Sequence, residues 1–177
     1  MYTLKRKLSL VLVLVSFLFI PLAGAGTDSA SVIDAQIYEA PEEARKLAEE
    51  GDLFGELCIN AELYNENIKD VPGLLKRFVG SEEIAGQIEL ENGDMLYITL
   101  IMRSGMVSDF YSYETSSDPK LKLGPSMTVK TDEETIRDIL DSEDPYQEAV
   151  DSMNDEALLI ECKGLFKKSV LWTIKHI

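Results

Sequence analysis

The chain has 177 residues, 45% of them apolar and 28% charged, with 32 acidic side chains against 17 basic ones for a formal charge of −15. That composition is globular rather than disordered, and the length suits one domain with a real core. Its negative field repels phosphate, which excludes DNA, RNA and a charge-driven seat on anionic lipid from the expected partners.

Near the start of the chain stand Lys5-Arg6-Lys7, an apolar run from Leu8 to Ile20, Pro21, and the small residues Ala23-Gly24-Ala25-Gly26. A cationic start, an uncharged apolar run and an A-x-A ending are the three parts of a secretory signal, with cleavage expected after Ala25. Leu8 to Ala25 is also about as long as a minimal membrane-crossing helix, so an uncleaved anchor is the second reading. Residues 1–25 are therefore read as a signal peptide or a membrane anchor. Either places the remainder outside the cytoplasm, secreted or tethered through residues 8–25. No acid precedes Asp28 and three cations lie in the leader, so the exported part bears 14 basic and 32 acidic groups.

Residues 26–40 read as a tether, and 41–177 as a single acidic domain. Pro41 to Gly51 predicts a short surface helix, with proline and acids at its start and glycine at its end. Residues 53–79 alternate helix-like and interrupted stretches, with Val71, Leu74, Leu75, Phe78 and Val79 at helical steps before Gly80. Ile84 to Leu90 alternates as a half-buried strand, and Asn92-Gly93 suits a two-residue hairpin turn. Met95 to Met102 is apolar on both faces, as in a central strand covered above and below. Ser104-Gly105 makes a second turn, Met106 to Tyr113 a third strand, and Leu121 to Lys130 a fourth, interrupted at Gly124-Pro125.

Two-residue turns set Ile88 opposite Tyr97, Leu90 opposite Met95 and Thr99 opposite Phe110. The inward face then holds Ile84, Ile88, Leu90, Met95, Tyr97, Ile101 and Phe110. The same register turns Ser108 and Ser112 inward and sends Val107, Tyr111 and Tyr113 outward. A bulge near Ser104-Gly105, or apolar cover on both faces, would each resolve that conflict. Thr131-Asp132-Glu133-Glu134 reads as a capping box with Thr131 as the cap, followed by the stripe Ile136, Ile139, Leu140. Asp144-Pro145 starts another helix, with Tyr146, Val150 and Met153 on one side. Ala157 to Cys162 is a fifth strand, and after Gly164 a last helix carries Val170 and Trp172. The expected fold is α+β: a largely antiparallel five-stranded sheet with helices packed on one face, preceded by the N-terminal signal or anchor helix.

From about Leu74 to Ile177 this layout resembles the sterol carrier protein 2-like (SCP2-like) family. The resemblance is carried by Ile84-Ala85-Gly86, Met127-Thr128-Val129-Lys130-Thr131, Ile136 to Leu140, Asp144-Pro145 with Ala149, and Leu159 to Gly164. Family members usually open the final strand with a Gly-Lys pair; here Leu158-Leu159 takes that place, and Asp151 to Glu156 reads as an insertion. The resemblance implies helices laid over one sheet face and an apolar tunnel for a fatty acyl, isoprenoid or sterol-like lipid. Its lipid-binding lining would be Ile88, Leu90, Tyr97, Phe110 and Met127, with Val150, Met153, Val170 and Trp172 on candidate lids. Read residue by residue, the same side chains also suit an ordinary filled core.

The sequence contains no G-x-S-x-G elbow, no H-E-x-x-H and no phosphate loop, and its single histidine is His176. No catalytic residues, metal site or cofactor are therefore expected. Runs such as Asp141, Glu143 and Asp144 lack EF-hand spacing and read as solvated acidic faces. Cys58 and Cys162 could pair in an oxidising compartment, closing a loop worth about 4 kcal/mol in the chain-entropy model, or stay as two buried thiols. The leading expectation is an exported, non-catalytic binding module for an apolar small molecule or lipid. The alternative is a membrane-anchored extracytoplasmic interaction module with a filled core, whose acidic face meets a basic protein partner.

Overall fold

The computed structural model describes residues 38–70, 80–113, 125–164 and Lys168. The leader, the tether before Tyr38, residues 71–79, the start of the expected fourth strand, and the last helix with Val170 and Trp172 lie outside them. Tyr38 and Ala40, within the expected tether, already belong to the core, and the Tyr38 N–H donates to the Val107 carbonyl at 3.3 Å.

Helix α1 (Glu42–Glu49) follows Pro41 and buries only Ala44. It is a surface helix, as its thin apolar spacing predicts. Helix α2 (Leu53–Glu66) is continuous where the sequence reads as interrupted. Its polar residues are absorbed individually: Asp52 caps the start by accepting from the Gly55 N–H at 2.9 Å, and the Asn60 amide donates back to the Glu56 carbonyl. The Arg45 guanidinium grips both oxygens of Glu62 at 2.6 and 2.7 Å, tying α1 to α2.

Strands β1 (Glu83–Glu89), β2 (Met95–Arg103), β3 (Met106–Tyr113), β4 (Met127–Asp132) and β5 (Leu159–Cys162) form one sheet in the order β3-β2-β1-β4-β5. Three pairings are antiparallel, and the central β1–β4 pair is parallel. Helices α3 (Glu133–Asp141) and α4 (Pro145–Asn154) lie between β4 and β5 in the chain. This is the expected α+β architecture.

The β1–β2 register differs from the expected one by a single residue. The hairpin uses a three-residue loop: Gly93 N–H donates to Leu90 O, Leu90 N–H donates to Asp94 O, both at 2.8 Å, and Gly93 takes φ +85°. Ile88 therefore faces Leu96, and every β2 side chain exchanges faces. The helix-covered face holds Ile84, Ile88, Ile98, Leu100 and Met102, whereas Tyr97 and Ile101 point to the other side and Met95 is 43% exposed. The second turn has two residues, Ser104 and Gly105, as expected. The conflict in β3 is resolved by a bulge: Ile101 pairs with Asp109 and Met102 with Val107, leaving Ser108 as the extra residue. Val107 and Phe110 can then both be buried, and the Ser108 hydroxyl donates to the Ile101 carbonyl. Ala85 and Thr99 on the opposite face are buried too, so the middle of the sheet is covered on both sides.

The cap of α3 is Asp132, not Thr131, because β4 runs one residue further than the capping-box reading allows. Asp132 Oδ1 accepts from the Thr135 N–H at 2.7 Å, while the Thr131 hydroxyl is buried without a partner among the described residues. Asp132→Ala is expected to cost about 1 kcal/mol in urea unfolding, the usual worth of a cap. Thr131→Val should be neutral or stabilising, since it removes an unsatisfied buried hydroxyl. Asp144 caps α4 through the Gln147 N–H, with Pro145 at the first helical position, as expected.

Candidate functional site: an apolar-floored groove beside a narrow void

Helices α2 and α3 cover one sheet face. Leu57 and Ile136 meet Ile84, Ile88, Ile98 and Leu100 there, and between them remains an apolar void of only about 20 Å³. A space of that size holds about one water and stays dry when its walls are hydrocarbon. Ile98 fills the hollow left by Gly86, where a Cβ would meet its Cγ1 at 2.5 Å. A lipid tail could lie here only if α2 and α3 moved off the sheet.

Arg137 latches that seam. From α3 its guanidinium donates to both Glu56 oxygens on α2 at 3.1 and 3.2 Å, to the Gly51 carbonyl at 2.8 Å, and to Glu133 at 2.6 Å. Glu133 also accepts from the Glu91 N–H in the β1–β2 loop. Burial alone would raise the Glu133 pKa, but the Glu91 N–H and the Arg137 guanidinium outweigh it and hold the carboxyl below its ordinary value of 4.5. A depressed folded pKa gives stability that is present above pH 4.5 and lost as the pH falls through the folded value. Arg137→Met should therefore cost about 1 kcal/mol at pH 7, the pairs being partly solvated, and the difference from the parent should shrink on acidification below about pH 4. Chemical denaturation at the two pH values measures it.

On the outer side of the same seam, α1, α2 and the end of α3 enclose an open groove of about 370 Å³. Ile59 and Leu63, one helical turn apart on α2, and Leu140 on α3 form its floor, and Glu49, Glu56 and Asp141 stand on its rim. Clefts that hold small organic ligands begin at about 300 Å³, so this one is large enough and the internal void is not.

Of the expected lipid lining, Ile88, Phe110, Met127, Val150 and Met153 share one buried apolar core, with Leu90 packed against it. Ile88 is on the wall of the small void, and Met127, Val150 and Met153 are buried in the core. Phe110 is buried with its ring 5.5 Å from Phe54 and 6.2 Å from Tyr38. Leu90 is partly buried in the β1–β2 loop, and Tyr97 lies on the other sheet face, stacked on Tyr113 at 5.7 Å. Val170 and Trp172 are outside the described residues. None of the others lines the groove. Its floor residues Ile59 and Leu63 went unmarked because α2 has no continuous apolar stripe, whereas Leu140 stands in the α3 stripe noted above. Cys58 is buried on α2, and Cys162 stands half-buried on β5. Burial pushes the Cys58 thiol up to about 11, with the neighbouring Tyr38 hydroxyl acting the other way.

No protein-family model and no curated protein matches the sequence. Among the solved structures similar to it in chain course are two sterol-carrier-like ones. One is the crystal structure of sterol carrier protein 2, 11% identical with a TM-score of 0.40 over 66% of this chain and 94% of that one. The other is a conserved hypothetical protein of Thermus thermophilus described as a candidate sterol carrier protein, 11% identical with a TM-score of 0.37 over 63% and 78% of the two chains. That is a likeness of fold. From Ile84 onward, the order of elements through β5 is the one the sequence resemblance implies.

Proposed function

We propose that this chain is an exported, non-catalytic binding module for a small amphiphile, whose apolar part rests on Ile59, Leu63 and Leu140. The groove between α1, α2 and α3 carries the reading: it has an apolar floor, an open mouth and a volume suited to a small organic molecule. Export is supported by Lys5-Arg6-Lys7, the apolar run and the Ala23-Gly24-Ala25 ending. An N-terminal mass measurement on protein from the medium and from membranes distinguishes release after Ala25 from anchoring. Burying half of a ten-carbon chain is worth roughly 4 kcal/mol, which corresponds to a dissociation constant of about 1 mM. Ligand NMR of the delipidated chain with n-decanol, kept below its sub-millimolar solubility limit, should show partial binding in keeping with that constant, weakened at least about tenfold by Leu63→Glu and by Leu140→Glu. The absence of binding, or binding indifferent to both variants, rejects the reading.

The narrowness of the void under α2 and α3 favours a second reading. With room there for about one water among the described residues, the domain also suits an interaction module with a filled core, whose surplus of carboxylates meets a basic protein. In that case a basic partner would bind while decanol does not.

A further inference from the structure

We infer that the groove selects a positively charged head group, so that its preferred ligand class is a single-chain alkylammonium and not a fatty acid anion. The inference rests on the groove being the ligand site. Three carboxylates, Glu49, Glu56 and Asp141, line it, and among the described residues no lysine, arginine or histidine does. Arg137 neutralises Glu56, but among the described residues neither Glu49 nor Asp141 is in an ion pair. The backbone adds to the same sign. Helix α1 ends at Glu49 and α3 ends at Asp141, so two helix C-termini, with their partial negative charge, converge on the rim. An acid in the last turn opposes its own helix dipole; α1 has Lys46 in its last turn to offset part of this, and α3 has no basic residue there. A cation between the two ends would relieve the conflict in α3 and what remains of it in α1, with its alkyl chain lying along the floor. A carboxylate head in the same place would meet only repulsion from Glu49 and Asp141.

The test titrates the full chain with decylammonium, n-decanol and decanoate at low and high salt, following heat or ligand NMR. Two partly solvated charges should favour decylammonium over decanol by about tenfold at low salt, with decanoate weaker than decanol. The preference should fall towards one in the Glu49→Gln/Asp141→Asn double variant, whose fold is checked by circular dichroism, and should fade at high salt. If decanol binds and decylammonium binds no tighter, the charge selection is wrong and the groove reading survives. If the preference persists in the double variant, general attraction to the acidic chain explains it and the selection is overturned. If none of the three binds, both readings fall together.

Discussion

Replacing Gly55 by alanine is expected to destabilise the fold by about 3 kcal/mol, at the upper end of what overpacking usually costs. A Cβ at Gly55 would stand 2.4 Å from the Ala48 nitrogen, 2.6 Å from the Ala44 oxygen and 2.9 Å from the Leu47 carbonyl carbon. All three are backbone atoms of α1, which cannot turn aside as a side chain can. Alanine is the better helix former by up to about 1 kcal/mol, so propensity alone predicts the opposite sign. The packing term is the larger, and thermal unfolding should show a midpoint lowered by roughly 10 °C for a chain of this size. A stabilised variant would mean that α1 does not lie against α2 as described. Because Ala48 and Glu49 form one wall of the groove, the same substitution should also weaken decanol binding.

A loss of similar size, but dependent on pH, is expected for Asn65→Asp. The Asn65 side chain is buried and uses both of its ends: its amide donates to the Val107 carbonyl at 2.8 Å, and its oxygen accepts from the Val107 N–H at 2.9 Å. An ionised aspartate keeps the second bond, loses the first, and sets a buried carboxylate against a carbonyl oxygen. A cost of about 3 kcal/mol at pH 7 follows from an unpaired buried charge with partial hydrogen bonding. Burial raises the folded pKa of such an aspartate above its unfolded value of about 3.9, so the penalty grows as pH rises through that interval. Urea unfolding at about pH 4 and pH 7 should therefore show the deficit mainly at the higher pH. Asn65→Leu, which leaves the Val107 N–H unpaired and its carbonyl with only the Tyr38 N–H, and carries no charge, should be destabilised at both. Equal deficits for Asn65→Asp at the two pH values would contradict the assignment of donor and acceptor.

Much of the sheet was legible because alternation and turn chemistry are local. Ile84 to Glu89, the two-sided β2 and the Ser104-Gly105 turn are all found where the sequence places them. What could not be read was register, since Asn92-Gly93 suits both a two-residue and a three-residue loop and one residue of slip moves Tyr97 to the other face. Helix α2 was obscured because Asn65 serves a distant strand and Gly55 serves a neighbouring helix, so neither follows the periodicity of its own segment. The groove was hidden for a related reason. Its floor is assembled from α2 and α3, which are far apart in the chain, and its rim charges looked like ordinary solvated acids.

The bond between Asn65 and Val107 has a further effect beyond the stability of one molecule. β3 is the outermost strand on its side of the sheet, and an uncapped margin of that kind invites a second chain to add itself by main-chain pairing. Here the outward donor and acceptor of Val107 are already engaged by the carboxamide, and the Tyr64 hydroxyl occupies the Gly105 carbonyl at the adjoining turn at 2.6 Å. The helix thus closes the first part of this strand margin to main-chain pairing by a second chain.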